Sequence, residues 1–218
     1  MTIVINFKNY KTGKEALDLA KAIKSHLPNA IICPPTIDLQ TLNKNIPTAN
    51  IYAQHTDGKD GSKTTGFTTP ENLKQSKIDG TIVNHSEHRL EFNEIKRAVR
   101  SCKEKGIKTI VCVSSITEAD KVKKLSPYAI AFEEPNLIST GNSITTKSKK
   151  LERFVKLFDK TQTLPLCGAG ISKKTDVEKA YEIGCQGVLI ASAISKPKKA
   201  PEKLLKQLKE AENSEDKK

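Results

Sequence analysis

The chain has 218 residues, of which 36% are hydrophobic and 28% charged, a balance that predicts a folded protein rather than a disordered one. No apolar run reaches the roughly 18 residues that a membrane-spanning helix needs, so we expect no membrane partner. The formal net charge of +12 comes from lysines spread along the chain, and there is no tryptophan to stack on bases, so we expect no nucleic-acid partner.

The N-terminal residues and the cysteines indicate a cytoplasmic protein. Met1–Asn6 has no charged stretch leading an apolar segment, so we expect no secretory signal. The five cysteines are odd in number, and no two of them are spaced as C-x-x-C. This pattern argues against a disulfide framework and against a zinc site, and we expect neither a metal nor a cofactor.

Eight short apolar runs recur along the chain, rich in Val and Ile and largely without polar alternation. They are Thr2–Ile5, Ala30–Cys33, Asn50–Ala53, Gly80–Val83, Thr109–Cys112, Tyr128–Ala131, Leu164–Cys167 and Val188–Ile190. Runs of this kind are typical of strands that are buried on both faces of a parallel sheet. Lysine- and glutamate-rich segments with apolar residues at helical spacing lie between most of them.

Eight strand-then-helix units in this length predict an α/β fold, a (β/α)₈ TIM barrel that forms a single domain over residues 1–218. The alternative is an open doubly wound sheet, but the turn after the first strand has no glycine fingerprint. Helix starts are predicted at Pro70–Glu71, at Thr117-x-x-Asp120 and at Thr175–Asp176. Residues 212–218 are expected to form a frayed tail.

Polar residues follow several of these strands, where the βα loops of a barrel gather. Lys8 comes after the first strand and Asn6, which suits an anion-binding cation, although a solvated loop charge fits equally well. His85 lies in the dense polar cluster Asn84–Arg89, as a functional histidine or as a hydrogen-bonded structural one. Glu133 leaves a hydrophobic strand at the barrel mouth, which suits a general base, with an ion pair as the alternative.

Two late loops consist of small residues, Gly168-Ala169-Gly170 after the seventh strand and Ala191-Ser192 after the eighth. Loops at these two positions often form a phosphate site in such barrels, because their backbone N–H groups can approach a ligand closely. Tight turns alone would also explain the small residues. Together the two loops make a phosphate-bearing substrate the favoured ligand class.

With these residues in place, the sequence resembles the triosephosphate isomerase family in its short archaeal form. The resemblance runs from Ile3 to about Lys196, and five motifs carry it in order. They are Asn6-Phe7-Lys8, Asn84-His85-Ser86-Glu87-His88-Arg89, Glu133-x-Pro135-x-Leu137-Ile138-Ser139-Thr140-Gly141, Cys167-Gly168-Ala169-Gly170-Ile171-Ser172 and Leu189-Ile190-Ala191-Ser192.

The resemblance implies interconversion of dihydroxyacetone phosphate and glyceraldehyde 3-phosphate through an enediolate, without a cofactor. It assigns Glu133 as the base, His85 as the electrophile and Lys8 as the cation that binds substrate and stabilises the oxyanion, roles that the family's chemistry provides. Glu87 matches a buried carboxylate that pairs with Lys8. The remaining substrate-binding positions that it implies are Asn6, Ile138 or Ser139, Gly170, Ala191 and Ser192.

The chain departs from the family pattern in three places. Glu134 stands where the family usually has proline, and Ser139 where it usually has glycine, both in the segment that matches a substrate-covering lid. In Gly61–Gly66, the loop that docks into a neighbouring subunit in the family, the pattern survives chiefly as Thr65-Gly66. The resemblance implies a homo-oligomer, a homotetramer ahead of a homodimer, because the helix between strands five and six is short.

Two other functions fit part of the sequence. A barrel isomerase or synthase for a larger phosphorylated sugar or an anthranilate derivative would explain the two late loops, but not Lys8, His85 and Glu133 together. A catalytically idle, basic scaffold protein would explain only the charge of +12.

Overall fold

The structure, a computed structural model, describes residues 2–134 and 143–215. Eight parallel strands pair in chain order and close on themselves, because β8 also pairs with β1. The strands are β1 (Thr2–Asn6), β2 (Ile31–Cys33), β3 (Asn50–Ala53), β4 (Gly80–Val83), β5 (Lys108–Val113), β6 (Ala129–Glu133), β7 (Leu164–Gly168) and β8 (Gly187–Ile190). The predicted (β/α)₈ barrel is therefore confirmed, and the open sheet is excluded.

Helices follow the strands and cover the outside of the barrel. They are α1 (Gly13–His26), α2 (Leu39–Asn45), α3 (Pro70–Gln75), α4 (Phe92–Glu104), α5 (Ile116–Lys123), α6 (Ser148–Val155), α7 (Lys174–Glu182), α8 (Ser192–Ser195) and α9 (Glu202–Glu215). Within the described residues no helix is both long enough and apolar enough to cross a membrane. Helix α9 continues to Glu215 because Glu212 is buried and pairs with Lys209 at 3.0 Å, so the helix extends into the predicted tail.

Alternation along the strands divides the core into two layers. One set of side chains fills the barrel interior, and the other packs between the strands and the helices. On β6, Ala129 and Ala131 point inward while Ile130 and Phe132 point outward, so Glu133 continues the inward series at the end of the strand. The pleat of this strand therefore directs the Glu133 carboxylate into the mouth of the barrel.

One of the three predicted helix starts is confirmed and two are wrong. Helix α3 begins at Pro70, and the Thr69 side chain accepts the Asn72 N–H. Helix α5 begins earlier than predicted, because Ser115 rather than Thr117 caps it by accepting the Glu118 N–H. Helix α7 also begins earlier, at Lys174, so Thr175 lies inside the helix. At this end the Asp176 carboxylate accepts the backbone N–H groups of Ser172 and Lys173.

The five cysteines are all unpaired and all buried. Burial raises the pKa of the Cys102 thiol to about 12. Burial also raises the pKa of Cys33, and that of Cys112 well above its ordinary value, with the Glu133 carboxylate adding to the effect at Cys112. The thiols of Cys33, Cys102 and Cys112 are thus held protonated in the folded chain.

Candidate active site

Lys8 is anchored at the end of β1 by its own backbone. Its φ of 47° lies in the left-handed region, which a lysine adopts only where its surroundings hold it there. The Lys8 N–H donates to Asn6 Oδ1 at 2.9 Å, and the Gln54 amide donates to the Lys8 carbonyl, also at 2.9 Å. These two bonds fix the direction in which the Lys8 side chain leaves the strand.

The Lys8 ammonium group pairs with Glu87, as the resemblance implied. Lys8 Nζ lies 2.6 Å from Glu87 Oε1, across 79 positions of the chain. The expectation that Glu87 is buried is wrong, because 56% of its side chain is exposed. Glu87 extends from the loop after β4 over the rim of the barrel, where solvent reaches it, and still neutralises Lys8.

His85 and Glu133 face each other in the barrel mouth. His85 Nε2 lies 3.4 Å from Glu133 Oε1, and both residues are almost fully buried. The Glu87 backbone N–H donates to His85 Nδ1 at 3.2 Å. Because Nδ1 accepts this hydrogen bond through its lone pair, it carries no proton, and in the neutral imidazole the proton lies on Nε2, the nitrogen that faces Glu133.

One oxygen of the Glu133 carboxylate is available to accept a proton. Glu133 Oε2 is buried and, among the described residues, has no hydrogen-bond partner. On the neighbouring strand Gly168 packs against the Glu133 side chain, since a Cβ at Gly168 would lie in van der Waals contact, 3.4 Å from Glu133 Cγ. A carboxylate oxygen without a donor, on a side chain that lines a cavity, is available to accept a proton from a ligand.

A polar network below His85 holds the β4 loop in place, and the sequence did not indicate it. Asn84 is fully buried with a φ of 62°, and its amide donates to the Cys112 carbonyl and to Glu118 at 2.8 and 3.0 Å. Its Oδ1 accepts the Leu90 N–H at 2.9 Å, and Arg89 donates to the Asn84 carbonyl at 3.2 Å. The residue type could have indicated that Asn84 holds this loop, because asparagine tolerates the left-handed backbone conformation.

The two small-residue loops leave backbone N–H groups free beside the cavity. Ala169 and Gly170 both have positive φ, 87° and 69°, which turns the chain sharply after β7. Within the described part of the chain no hydrogen bond uses the N–H of Gly170, Ile171, Ser192 or Ala193. Four unpaired N–H groups in two adjacent loops form a site for an anion.

A cavity of about 330 Å³ joins the acid–base pair to these loops. Six of the predicted site residues line it: Lys8, His85, Glu133, Gly170, Ala191 and Ser192. Ala169, Ile171, Ser172 and Leu189 of the motifs named above also line it, together with Tyr10, Ala193 and Lys196, which the sequence did not single out. A hint lay in the spacing, because Tyr10 is two residues after Lys8 and Lys196 is one helical turn after Ser192.

Asn6 lies beneath Lys8 and lines a second cavity, of about 480 Å³, on the other side of that lysine. Ile138 and Ser139 lie outside the described residues. Glu134, which takes the place of the family's usual proline, pairs with Lys150 of α6 at 2.5 Å. Among the described residues no group of three His, Cys, Asp or Glu side chains is arranged to hold a metal ion.

Comparisons with known proteins agree with one another. A sequence model of the triosephosphate isomerase family matches residues 1–209. The triosephosphate isomerase of Methanocaldococcus jannaschii is 38% identical, over 96% of this chain and 99% of that protein. The enzyme of the same name from Methanopyrus kandleri is 36% identical, over 88% of this chain and 89% of that protein.

A solved structure supports the fold. The crystal structure of the triosephosphate isomerase from Bartonella henselae superposes with a TM-score of 0.74, at 17% identity, over 97% of this chain and 98% of that one. At this identity the likeness concerns the barrel, while the family match and the archaeal relatives concern the activity. The chain belongs to the triosephosphate isomerase family, the aldose–ketose isomerases that interconvert the two triose phosphates.

Proposed function

We propose that Glu133, His85 and Lys8 carry out the interconversion of dihydroxyacetone phosphate and D-glyceraldehyde 3-phosphate in this chain. The observation that supports this assignment best is the 3.4 Å approach of His85 Nε2 to Glu133 Oε1, in a cavity that Lys8 also lines. A base, a hydrogen-bond donor and a cation are then within reach of one small ligand. This is the set that proton transfer next to a carbonyl requires.

Glu133 takes the proton from one carbon of the substrate and returns it to the neighbouring carbon. Its free Oε2 accepts this proton without breaking an existing hydrogen bond. The electron pair left behind moves onto the carbonyl oxygen and gives an enediolate. His85 donates its Nε2–H to that oxygen, and the Lys8 ammonium group stabilises the charge that develops there.

The phosphate of the substrate binds at the other end of the cavity. Gly170, Ala191 and Ser192 contribute backbone N–H groups, and the resemblance adds Ile138 to this set. Asn6 supports the site from below: its Oδ1 is occupied by the Lys8 N–H, while its Nδ2 donor makes no hydrogen bond within the described residues. Holding the phosphate there presents the carbonyl carbons to Glu133 and His85.

The active protein is a cytoplasmic homo-oligomer, a homotetramer ahead of a homodimer. Five buried, unpaired cysteines fit a reducing compartment. Tyr10, Ile37 and Phe67 are exposed by 39%, 83% and 44%, and Ile37 lines the cavity of about 480 Å³ beside Lys8. Large apolar side chains that are exposed in this way support a subunit contact. Light scattering of the purified chain measures the number of subunits, and a monomer would contradict the proposal.

A coupled assay of glyceraldehyde 3-phosphate isomerisation tests the catalytic assignment. We expect rapid turnover, and a loss of about 10³-fold in kcat for Glu133→Gln, which keeps the shape of the side chain and removes the base. Glu152→Gln on the outer face of α6 removes the same charge away from the cavity and serves as the matched control. Turnover by Glu133→Gln close to that of the unsubstituted chain would exclude Glu133 as the base.

A further inference from the structure

The cavity has two lysines in its lining, and the chemistry proposed above uses only one of them. Lys8 is already paired with Glu87 at 2.6 Å. Lys196 ends α8, the short helix after β8, and lines the same cavity with Gly170, Ser172 and Ser192. Within the described part of the chain Lys196 makes no ion pair, and Glu133 is the only carboxylate in the lining. The charge of Lys196 is therefore uncompensated in the cavity.

The geometry of α8 directs the Lys196 side chain toward the anion-binding loops. The Lys196 N–H donates to the Ser192 carbonyl at 3.1 Å, so the two residues are one helical turn apart and share a face. Each Cα–Cβ bond in a helix tilts toward the N-terminus of the helix. The long stem of Lys196 thus leads back over Ser192, toward the unpaired N–H groups of Ser192 and Ala193.

A phosphate group suits a site that combines unpaired backbone N–H groups with the Lys196 ammonium group. Unpaired N–H groups give directional hydrogen bonds to its oxygens but carry only partial charge, whereas the substrate phosphate is a dianion near neutral pH. A free ammonium group at the same end of the cavity supplies a full positive charge with mobile donors. A charge-assisted bond of this kind is stronger than one from a neutral donor.

We propose that Lys196 binds the phosphate of the substrate directly and so selects phosphorylated trioses over unphosphorylated ones. The inference rests on the proposed function, whose phosphate site it completes. Lys196 follows β8, whereas the acid–base pair His85 and Glu133 comes from β4 and β6 and needs no further proton carrier. Its contribution is to substrate binding and not to the proton transfer.

Replacing Lys196 by glutamine tests the proposal. We expect Lys196→Gln to raise KM, and the inhibition constant of inorganic phosphate, by about tenfold each, while kcat stays within about twofold. Lys196→Arg keeps the charge, and we expect it to restore most of the affinity. Lys199→Gln removes the same charge from an exposed neighbour that does not line the cavity, and both constants should then stay near their original values.

Three results would overturn the proposal. They are unchanged constants in Lys196→Gln, an equal change in Lys199→Gln, which would indicate only the general positive field of the chain, and a fall in kcat with KM unaltered. Thermal unfolding of each variant separates lost binding from lost folding. Calorimetric titration with inorganic phosphate measures the contribution of Lys196 without any turnover. If the chain proved inactive, that would contradict the proposed function, while the titration would still decide the role of Lys196.

Discussion

The two ends of the barrel use the same strained backbone conformation for different purposes. Among the residues that the structure describes, six non-glycine residues have positive φ: Lys8, Asn84 and Ala169 after the strands, and Lys77, Ser126 and Lys160 before them. The three residues before the strands are exposed. Two of them close helix ends, where the Lys77 N–H donates to Lys74 and the Ser126 N–H to Lys123.

At the other end the strained residues are part of the site. Asn84 is fully buried, and its side chain holds the loop that carries His85. Lys8 provides the cation, and Ala169 turns the chain so that the N–H of Gly170 stays free. Before the strands, positive-φ residues lie at helix ends, and replacing them by glycine relieves the strain. After the strands, positive-φ residues position functional groups, and replacing Lys8 or Asn84 by glycine would remove a side chain that the site needs.

The largest expected effect comes from removing the strained cation. Lys8→Ala keeps the backbone bonds to Asn6 and Gln54 but removes the charge from the cavity. We expect kcat/KM to fall by about 10³-fold or more, because the enediolate loses its cation and the substrate loses a binding partner. Steady-state kinetics and the inhibition constant of inorganic phosphate measure both losses. An unchanged inhibition constant of inorganic phosphate would show that Lys8 does not bind the substrate phosphate.

A smaller loss is expected when the base is moved and not removed. Glu133→Asp withdraws the carboxylate by one methylene from a position 3.4 Å from His85 Nε2. We expect kcat to fall by about 10²-fold with little change in KM, since the phosphate loops are untouched. A variant as fast as the parent chain would show that the position of the carboxylate is not limiting.

Glycine at a strained position after a strand is expected to destabilise the protein. Asn84→Gly accepts the φ of 62° but loses the bonds of Asn84 to Cys112, Glu118 and Leu90. We expect the free energy of unfolding to fall by about 2 kcal/mol, because the buried Cys112 carbonyl and the Leu90 N–H lose this partner and the Asn84 side chain leaves a gap. Urea denaturation measures this loss, and reduced kcat should accompany it because His85 is adjacent.

The same substitution at the opposite end is expected to have the smallest effect, and the opposite sign. Lys77→Gly relieves a φ of 55° at an exposed turn whose side chain makes no ion pair within the described residues. The relief of strain outweighs the added freedom of the unfolded chain by roughly 0.5 kcal/mol. We expect a slightly higher urea midpoint and unchanged kcat. A loss of stability as large as that of Asn84→Gly would refute the contrast between the two ends.

The barrel could be predicted from the sequence because continuous hydrophobic runs indicate strands that are buried on both faces. All eight predicted runs correspond to strands, with ends that differ by no more than two residues, and alternation on β6 accounts for the inward direction of Glu133. Candidate residues at strand ends could be found for the same reason. Once eight strands are parallel, their ends share one face, and Lys8, His85 and Glu133 come together there.

Features that depend on side-chain conformation could not be predicted. The caps of α5 and α7 were misplaced because several Ser, Thr and Asp residues near each start could serve, and only the hydrogen bonds decide among them. The Asn84–Glu118 bond joins the loop after β4 to the first turn of α5, 34 positions along the chain, and no local sequence pattern indicates such a contact. Lys196 was one lysine among many, and its place in the cavity depends on the short helix α8.

Because all five cysteines are buried, their alkylation can be used to detect unfolding of the chain. Alkylating reagents attack the thiolate, and in the folded state the thiols are both inaccessible and, at Cys33, Cys102, Cys112 and Cys167, of raised pKa. Cys33 and Cys112 lie in the barrel interior, whereas Cys102, Cys167 and Cys185 lie in the layer between strands and helices. Mass spectrometry of alkylated peptides therefore distinguishes helices that detach from the barrel from a barrel that opens.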